Sequence, residues 1–324
     1  MELPSDLQAV VEVLVGRLEL TSGEVSREGG IDLEEARRLW RALGFPPVPD
    51  DARIFTRADA DVLRIVRRLL DRNGLDATVV VQLARLTGRS LARIADAQVD
   101  TAGAVLSDAV TMLPPFAADF ERLMAYVWRR QLLAAILRRA TLPSDAGNSV
   151  AVGFADMVGF TVLSQALDAR DLAAMVDRFE AIAYEHVPQH GGRIIKMIGD
   201  EVMFAADDAV AAAEIALALV DAHAQTPDLP DVRVGLARGP ALAWDGDLFG
   251  PTVNLASRLV NVARPSAVLV SEALGLELQG RPGYTLRPLR AVRLQGIGRV
   301  RSWVLRRSTT EPSGRRAKRA RDAS

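Results

Sequence analysis

Cysteine is absent from this chain of 324 residues. Its absence excludes disulfide bonds, thiolate metal sites and cysteine nucleophiles. Histidine is scarce: the chain has only His186, His190 and His223, and we expect each at the surface or at a helix end. A strong net charge is also missing, because 40 basic and 41 acidic residues leave a formal charge of −1. No overall field therefore attracts nucleic acid or a membrane, and no nucleic-acid partner is expected.

Targeting and membrane-spanning segments are missing as well. The first residues, MELPSDLQAV, have neither the basic start nor the apolar stretch of a signal peptide. The longest apolar runs, such as DAVAAAEIALALVDA, have about half the length of a membrane span and carry charges at both ends. We therefore expect a cytoplasmic protein without stable membrane insertion. A length of 324 residues predicts two domains.

Lysine is almost absent, because Lys196 and Lys318 are the only lysines among 40 basic residues. Lys318 lies in a polar, arginine-rich end, residues 308–324, which we predict to be a disordered basic tail. Lys196 is then the only lysine of the folded body, and it lies inside an apolar segment. A general preference for arginine codons explains the rarity of lysine. An isolated lysine among strand residues nevertheless points to a task that arginine does not perform.

The first 140 residues show helical patterns only. DLEEARRLWRALGF ends at Gly44 before the breaker cluster PPVPDD, and TRADADVLRIVRRLLDRNG begins at a predicted N-cap, Thr56. Further helices are predicted over 76–87, 89–110 and 115–140. We interpret residues 1–140 as a helical regulatory domain, 141–149 (TLPSDAGNS) as a linker, and 150–307 as a catalytic domain.

Strands and helices alternate after the linker. The predicted order is a strand over 150–156, a helix over 168–189, a hairpin over 193–198 and 201–206, a helix over 207–225 and a strand over 232–237. This βαββαβ order is the ferredoxin-like arrangement of an α+β fold. Later elements extend it: a strand near 240–244, a helix over 252–263, a strand over 267–270 and strands near 284–305.

Carboxylates stand at the ends of the predicted strands, at Asp156, Asp200 and Asp247. The first strand and the hairpin are neighbours in a ferredoxin-like sheet, so we expect Asp156 and Asp200 to converge. Two converging carboxylates without cysteine or histidine suit a hard cation such as Mg²⁺ or Mn²⁺. The alternative is that Asp156 caps a helix and Asp200 fills a turn.

Asn254 and Arg258 are four residues apart in a predicted helix and therefore share one face of it. Together they suit the binding of a sugar and a phosphate. A solvated helix face is the alternative interpretation.

Three segments in this order, FADMVGFT, RIIKMIGDEVMF and GDLFGPTVNLASRL, resemble the class III nucleotidyl cyclase catalytic domain over about residues 149–307. The resemblance implies that a homodimer converts ATP into 3',5'-cyclic AMP and pyrophosphate. It also implies that Asp156 and Asp200 bind two divalent ions, Mg²⁺ or Mn²⁺, and that Lys196 and Asp247 bind adenine.

The resemblance further implies that Asn254 orients the ribose and that Arg258 stabilises the transition-state phosphate. A lysine can donate to a ring nitrogen of adenine, and an aspartate can accept from the exocyclic amine. Guanine presents the opposite pattern, which disfavours GTP. Glu201 is expected to face solvent or a salt bridge.

The sequence departs from the family pattern at two places. Pro240 follows Gly239 where some members have an arginine for the terminal phosphates, and Gln295 stands where a lysine is common. Arg299 and Arg301 are nearby candidates, and the residues that bind the terminal phosphates stay open. A degenerate cyclase domain that acts as a nucleotide-binding regulatory module, or a guanylate cyclase, remains the alternative.

The N-terminal half resembles the helical regulatory domain of actinobacterial soluble, pH-responsive adenylate cyclases, which implies that it modulates activity. A DNA-binding winged helix is a second interpretation of this half. Charge disfavours it, because residues 1–145 contain 19 Arg, no Lys and 21 Asp or Glu, a net −2. This half has no histidine, so a pH response in it cannot arise from one.

Overall fold

The computed structural model describes residues 5–73, 75–102, 109–141 and 149–308. The chain divides into two compact units, Met1–Leu142 and Pro143–Ser324. Most of the predicted linker, 141–149, lies outside the described residues, and so does all but the first residue of the predicted tail, 308–324.

The described part of the first unit is helical, apart from one isolated bridge between Leu20 and Phe55. Its helices are α1 Ser5–Leu14, α2 Ser22–Gly29, α3 Leu33–Leu43, α4 Arg57–Asn73, α5 Ala77–Ala102 and α6 Ala109–Thr141. The predicted stop of α3 is confirmed, because Gly44 ends it in the left-handed conformation with φ 91°. The predicted start of α4 is confirmed too, since Thr56 donates to Asp59 through its backbone N–H and its hydroxyl, at 2.7 and 2.9 Å.

One helix replaces the two that the sequence predicts over 76–87 and 89–110. Gly88 does not break α5. It allows a close approach instead, because a Cβ at Gly88 would lie 2.3 Å from the carbonyl oxygen of Leu43. The last helix of the unit also begins earlier than predicted, at Ala109.

The second unit is built on a seven-stranded sheet with the order β2-β3-β1-β4-β7-β11-β8. Its strands are β1 Ser149–Met157, β2 Arg193–Ile198, β3 Glu201–Ala206, β4 Val232–Pro240, β5 Leu242–Trp244, β6 Asp247–Phe249, β7 Val268–Ser271, β8 Tyr284–Pro288, β9 Val292–Leu294, β10 Gly298–Val300 and β11 Ser302–Arg307. Its helices are α7 Phe160–Ala166, α8 Ala169–Gln189, α9 Ala209–Ala224, α10 Pro251–Val262 and α11 Glu272–Leu278.

The predicted ferredoxin-like core is confirmed, because β2, β3, β1 and β4 are neighbours and all pair antiparallel. The parallel pair of β4 and β7 attaches the remaining strands. The sequence pattern did not predict the short helices α7 and α11. Nor did it predict that β6 pairs with β5 to form a separate two-stranded arm.

Alternation along the strands divides the side chains between two faces of the sheet. One face packs against α8 and α9 through residues such as Phe204, Phe179 and Ile215. The other, which we call the α10 face, carries Val152, Phe154, Met203 and Ala237, which cluster with Ala256 and Val260 of α10. Glycine brings α10 close to β4, since a Cβ at Gly235 would lie 2.3 Å from the backbone nitrogen of Val260.

Candidate active site

Three charged residues lie side by side across the sheet. Asp156 of β1 is in register with Glu201 of β3 on one side and with Arg233 of β4 on the other. Since residues two apart share a face, Asp156 points to the same side as Val152 and Phe154, which is the α10 face. Arg233 is not among the residues predicted from the sequence, although it interrupts the apolar strand VRVGLA.

The Arg233 guanidinium binds Asp156 through two nitrogens. Its Nε donates to Oδ2 of Asp156 at 2.7 Å, and its Nη2 lies 2.6 Å from the same oxygen. Its Nη1 donates to the carbonyl oxygen of Asn261, in the last turn of α10, at 3.2 Å. The Asp156 side chain is only 14% exposed and that of Arg233 28%.

Asp200 occupies the hairpin turn after Gly199, whose φ of 62° explains the glycine. The backbone N–H of Met157 donates to the carbonyl oxygen of Asp200 at 3.0 Å, so this turn lies against the end of β1. Burial raises the pKa of Asp200, and the neighbouring charge of Asp156 adds to the rise. The structure thus brings these two aspartates into one neighbourhood.

The surroundings of Glu201 differ from those expected from the sequence. It faces neither open solvent nor a salt-bridge partner among the described residues, but lies beside the two aspartates. Burial first, and then the charges of Asp156 and Asp200, raise the pKa of Glu201 to about 7. Only the strand register shows this, because the sequence places Glu201 next to a turn where exposure is usual.

Lys196 reaches a partner far away in the chain. Its Nζ donates to Oδ2 of Asp247 at 2.5 Å, joining β2 to β6. A β-bulge between Ile194 and Lys196 shifts the register of β2 and redirects the side chain. Lys196 is then opposite Met203, so both belong to the α10 face. The lone lysine therefore shares a face of the sheet with Asp156.

Helix α10 presents Asn254 and Arg258 on its exposed side. It begins at Pro251, directly after Gly250, a favourable first position for proline. Among the described residues, neither the Asn254 nor the Arg258 side chain has a hydrogen-bond or ion-pair partner within the chain. Both side chains are therefore available to a bound molecule.

Three arginines border an open cavity of about 470 Å³ beside α10. Two of them already have partners: Arg238 lies 2.9 Å from Glu277, and Arg301 lies 3.1 Å from Glu272. Arg299 has no such partner in the described part of the chain. It is the best placed of the three to receive an anion.

The histidines lie apart from these residues. His186 is in the last turn of α8 and His190 caps that helix. His223 is in the last turn of α9 but is only 2% exposed, so its helix-end position comes with burial. Its Nδ1 lies 3.1 Å from the carbonyl oxygen of Pro230, and burial lowers its pKa.

The acidic residues by themselves do not complete a metal site. Among the described residues, no group of three or more acidic or histidine side chains is placed to hold an ion. The donors present are carboxylate oxygens, which suit Mg²⁺ or Mn²⁺. Such ions take one or two protein carboxylates together with substrate phosphates, so this donor set fits an ion that arrives with a nucleotide.

Two family descriptions match the chain. "Adenylate and Guanylate cyclase catalytic domain" matches residues 142–307, and "Adenylate cyclase regulatory domain" matches residues 5–123. The fold is that of a nucleotidyl cyclase catalytic domain, and the chain belongs to the adenylate and guanylate cyclase family.

Curated relatives match both the N-terminal half and the catalytic half of this chain. An adenylate cyclase of Streptomyces coelicolor is 40% identical over 275 residues, which cover 80% of this chain and 71% of the relative. A pH-sensitive adenylate cyclase of Mycobacterium tuberculosis is 31% identical, with 90% and 79% covered. The catalytic core of a rhodopsin-guanylyl cyclase with converted specificity, solved with ATPαS, is 25% identical at a TM-score of 0.46, and covers 50% of this chain and 98% of its own.

The regulatory-domain match replaces the DNA-binding interpretation of the N-terminal half. Within the described residues, no helix combines the length and the apolar character that a membrane crossing requires.

Proposed function

We propose that this chain is an adenylate cyclase that converts ATP into 3',5'-cyclic AMP and pyrophosphate. The observation that carries the proposal is the Lys196–Asp247 pair at 2.5 Å, on the same face of the sheet as Asp156. Named adenylate cyclases at 40% and 31% identity support it.

Lys196 and Asp247 recognise the base. The ammonium group donates to a ring nitrogen of adenine, and the carboxylate accepts from the exocyclic amine. Guanine has a carbonyl oxygen in place of that amine and a protonated ring nitrogen beside it. Both protein groups would then lose their partners on burial, which disfavours GTP.

Asp156 and Asp200 hold two divalent ions, Mg²⁺ or Mn²⁺, together with the phosphates. Their oxygen donors and their shared neighbourhood at the end of β1 fit such ions. When bound, the ions lower the pKa of the 3'-hydroxyl and offset negative charge on the phosphates.

Asn254 and Arg258 act on the ribose and the reacting phosphate. Asn254 orients the sugar so that its 3'-oxygen faces the α-phosphorus. A bond forms between these two atoms, the bond from the α-phosphorus to the pyrophosphate oxygen breaks, and the hydroxyl proton passes to solvent. Arg258 donates to the phosphate oxygens as negative charge increases on them.

The active form is a homodimer with its sites at the interface. The β5–β6 arm exposes three large apolar side chains, Leu242, Trp244 and Phe249, and the nearby hairpin exposes Ile198, all at 47–58%. Exposed apolar groups of this kind mark protein–protein contacts. One chain supplies Asp156 and Asp200, and its partner supplies Lys196, Asp247, Asn254 and Arg258. Two-fold symmetry then gives two equivalent sites.

The N-terminal half, residues 1–140, modulates the catalytic half, residues 150–307. The match of residues 5–123 to the regulatory domain supports this division of labour.

A direct assay tests the proposal. Purified full-length protein is incubated with ATP or GTP and with Mn²⁺ or Mg²⁺, and the cyclic product is measured. Cyclic AMP as the main product supports the proposal. Nucleotide binding without turnover would favour a degenerate regulatory module. The departures from the family pattern at Pro240 and Gln295 are the reason to consider this alternative. Cyclic GMP as the main product would indicate a guanylate cyclase.

A further inference from the structure

Arg233 has no role in the reaction described above, yet all its guanidinium nitrogens have partners. Nε and Nη2 contact Oδ2 of Asp156 at 2.7 and 2.6 Å. Nη1 donates to the carbonyl oxygen of Asn261 at 3.2 Å, and such carbonyls at a helix end lack partners within the helix. The anchor on α10 keeps the guanidinium in place, so its position is set independently of the carboxylate.

Both contacts with Asp156 end on the same oxygen. No hydrogen bond to Oδ1 occurs among the described residues, so Oδ1 is open to a further ligand. Two nitrogens of the planar Arg233 guanidinium on one oxygen restrict rotation of the Asp156 carboxylate. Arg233 therefore holds one oxygen of Asp156 and leaves the other to be offered elsewhere.

Charge in this neighbourhood still favours a divalent cation. Asp156, Asp200 and Glu201 carry three negative charges when ionised, and Arg233 supplies one positive charge. About two negative charges then remain, which attract divalent ions. Arg233 therefore reduces the repulsion among the carboxylates and still leaves an attraction for the metal.

We propose that Arg233 is a positioning residue for metal binding: it fixes Asp156 through Oδ2 and presents Oδ1 to the divalent ion. This inference rests on the proposed assignment of Asp156 as a metal ligand. Partners of this kind orient metal ligands in proteins, and their loss weakens metal binding by roughly 10- to 100-fold.

Binding of Mn²⁺ to the full-length protein together with 3'-deoxy-ATP, which has no 3'-hydroxyl to react, tests the inference and is followed by electron paramagnetic resonance. We expect Arg233→Gln and Arg233→Lys each to weaken binding by about 10-fold or more. Lysine keeps the charge but cannot place two nitrogens on one oxygen while it also reaches Asn261. Arg193→Gln is the matched control, because Arg193 of β2 is 31% exposed and pairs with Asp207, which directly follows β3. It should bind Mn²⁺ like the parent.

Each outcome decides the question. Unchanged binding in folded Arg233→Gln would overturn the inference. Tighter binding would also overturn it, because Arg233 would then compete with the ion. Parent-like Mn²⁺ binding in Arg233→Lys would show that a positive charge at this position is sufficient for binding. The contact of two guanidinium nitrogens with Asp156 would then not be needed. If Arg233→Gln does not fold, Arg233→Lys remains as the test. A parent that binds no Mn²⁺ even with 3'-deoxy-ATP would instead overturn the proposed metal site, and this inference with it.

Discussion

Lys196 and Asp247, 51 residues apart in the chain, form an ion pair at 2.5 Å between β2 and β6. Both side chains are partly exposed, at 39% and 25%, so their pairing contributes little to stability. In the proposed function its value lies in geometry, because each group holds the other in place before a base binds. A donor and an acceptor are then already arranged side by side, which reduces the cost of ordering them on binding.

The first prediction concerns base choice. We expect Lys196→Glu combined with Asp247→Cys to lower kcat/KM for ATP by about 30-fold or more, because two unpaired buried groups at about 1–3 kcal/mol each cost at least about 2 kcal/mol together. Cyclic AMP formation at several ATP concentrations measures this. Arg193→Glu with Asp207→Cys is the control, since it alters another ion pair that involves β2. ATP turnover at the parent's level in the first variant would show that this pair does not read the base.

The second prediction concerns the metal ligands. Asp156→Ala and Asp200→Ala should each abolish turnover while the protein stays folded. Arg233 loses a partner in the first variant, but its side chain is 28% exposed and water can solvate it. Cyclic AMP formation with Mn²⁺ and circular dichroism measure the two effects. Asp228→Ala is the control, because Asp228 pairs with Arg178 at 79% exposure.

Near-parent activity in either folded aspartate variant would remove that residue from the metal site.

The ferredoxin-like core could be predicted from the sequence, and the two hairpin strands were predicted with their observed bounds. Apolar alternation and the Gly199–Asp200 turn made this possible, because both are local patterns. The sequence also predicted that Asp156 and Asp200 approach each other. It could not predict Arg233 or Glu201, since their nearness to Asp156 depends on which residues face each other across three strands. Gly88 misled the helix assignment, because its reason is a neighbouring backbone and not a break in the helix.

The third prediction concerns pH and stability. Burial lowers the pKa of His223 below its usual 6.5. The hydrogen bond with the Pro230 carbonyl and the charge of Asp231 oppose the lowering, and His186 adds to it. Between the folded and unfolded pKa values the unfolded chain binds more protons. The free energy of unfolding therefore falls as the pH drops below about 6.5 and through the lower folded pKa. The Phe179 ring lies edge-on to the His223 imidazole, with 5.6 Å between the two ring centres. It carries no charge that would stabilise a protonated imidazole.

We expect His223→Asn to lose less thermal stability than the parent between about pH 7 and pH 5, because it has no imidazole to protonate. Thermal unfolding of the full chain across this pH range measures the slope. His190→Asn is the control at a less buried helix end. Parallel slopes for His223→Asn and the parent would contradict the prediction, whatever their absolute stabilities.

The fourth prediction concerns the N-terminal half. A protein that starts near residue 141 should differ in activity from the full chain by several-fold or more. Its activity should also depend less on pH, with only the pH dependence of the chemical reaction left for the most part. The reason is that it lacks residues 5–123, which match the regulatory domain. Cyclic AMP formation across a pH series, at equal dimer content, compares the two. Matching rates and pH profiles would contradict regulation by this half.

The last prediction concerns how the site is assembled. Lys196 and Asp200 are four residues apart around one tight hairpin turn. Asn254 and Arg258 are exposed on α10, and their side chains have no partner among the described residues of their own chain. A site shared between two chains explains both facts, because each chain then contributes its metal half to one site and its base-binding half to the other.

Mixing Asp156→Ala protein with Arg258→Ala protein, each inactive alone, tests this arrangement. In a mixed dimer one site receives both changes and the other receives neither. Random exchange makes about half of the dimers mixed, each with one intact site of two, so activity should return to roughly a quarter of the parent's. Asp156→Ala mixed with Asp200→Ala is the matched control, because both changes fall in the same half, every site then keeps one defect, and no activity should return. Subunit exchange is verified separately with two affinity tags. If exchange occurs and the first mixture stays inactive, the catalytic residues must act within one chain.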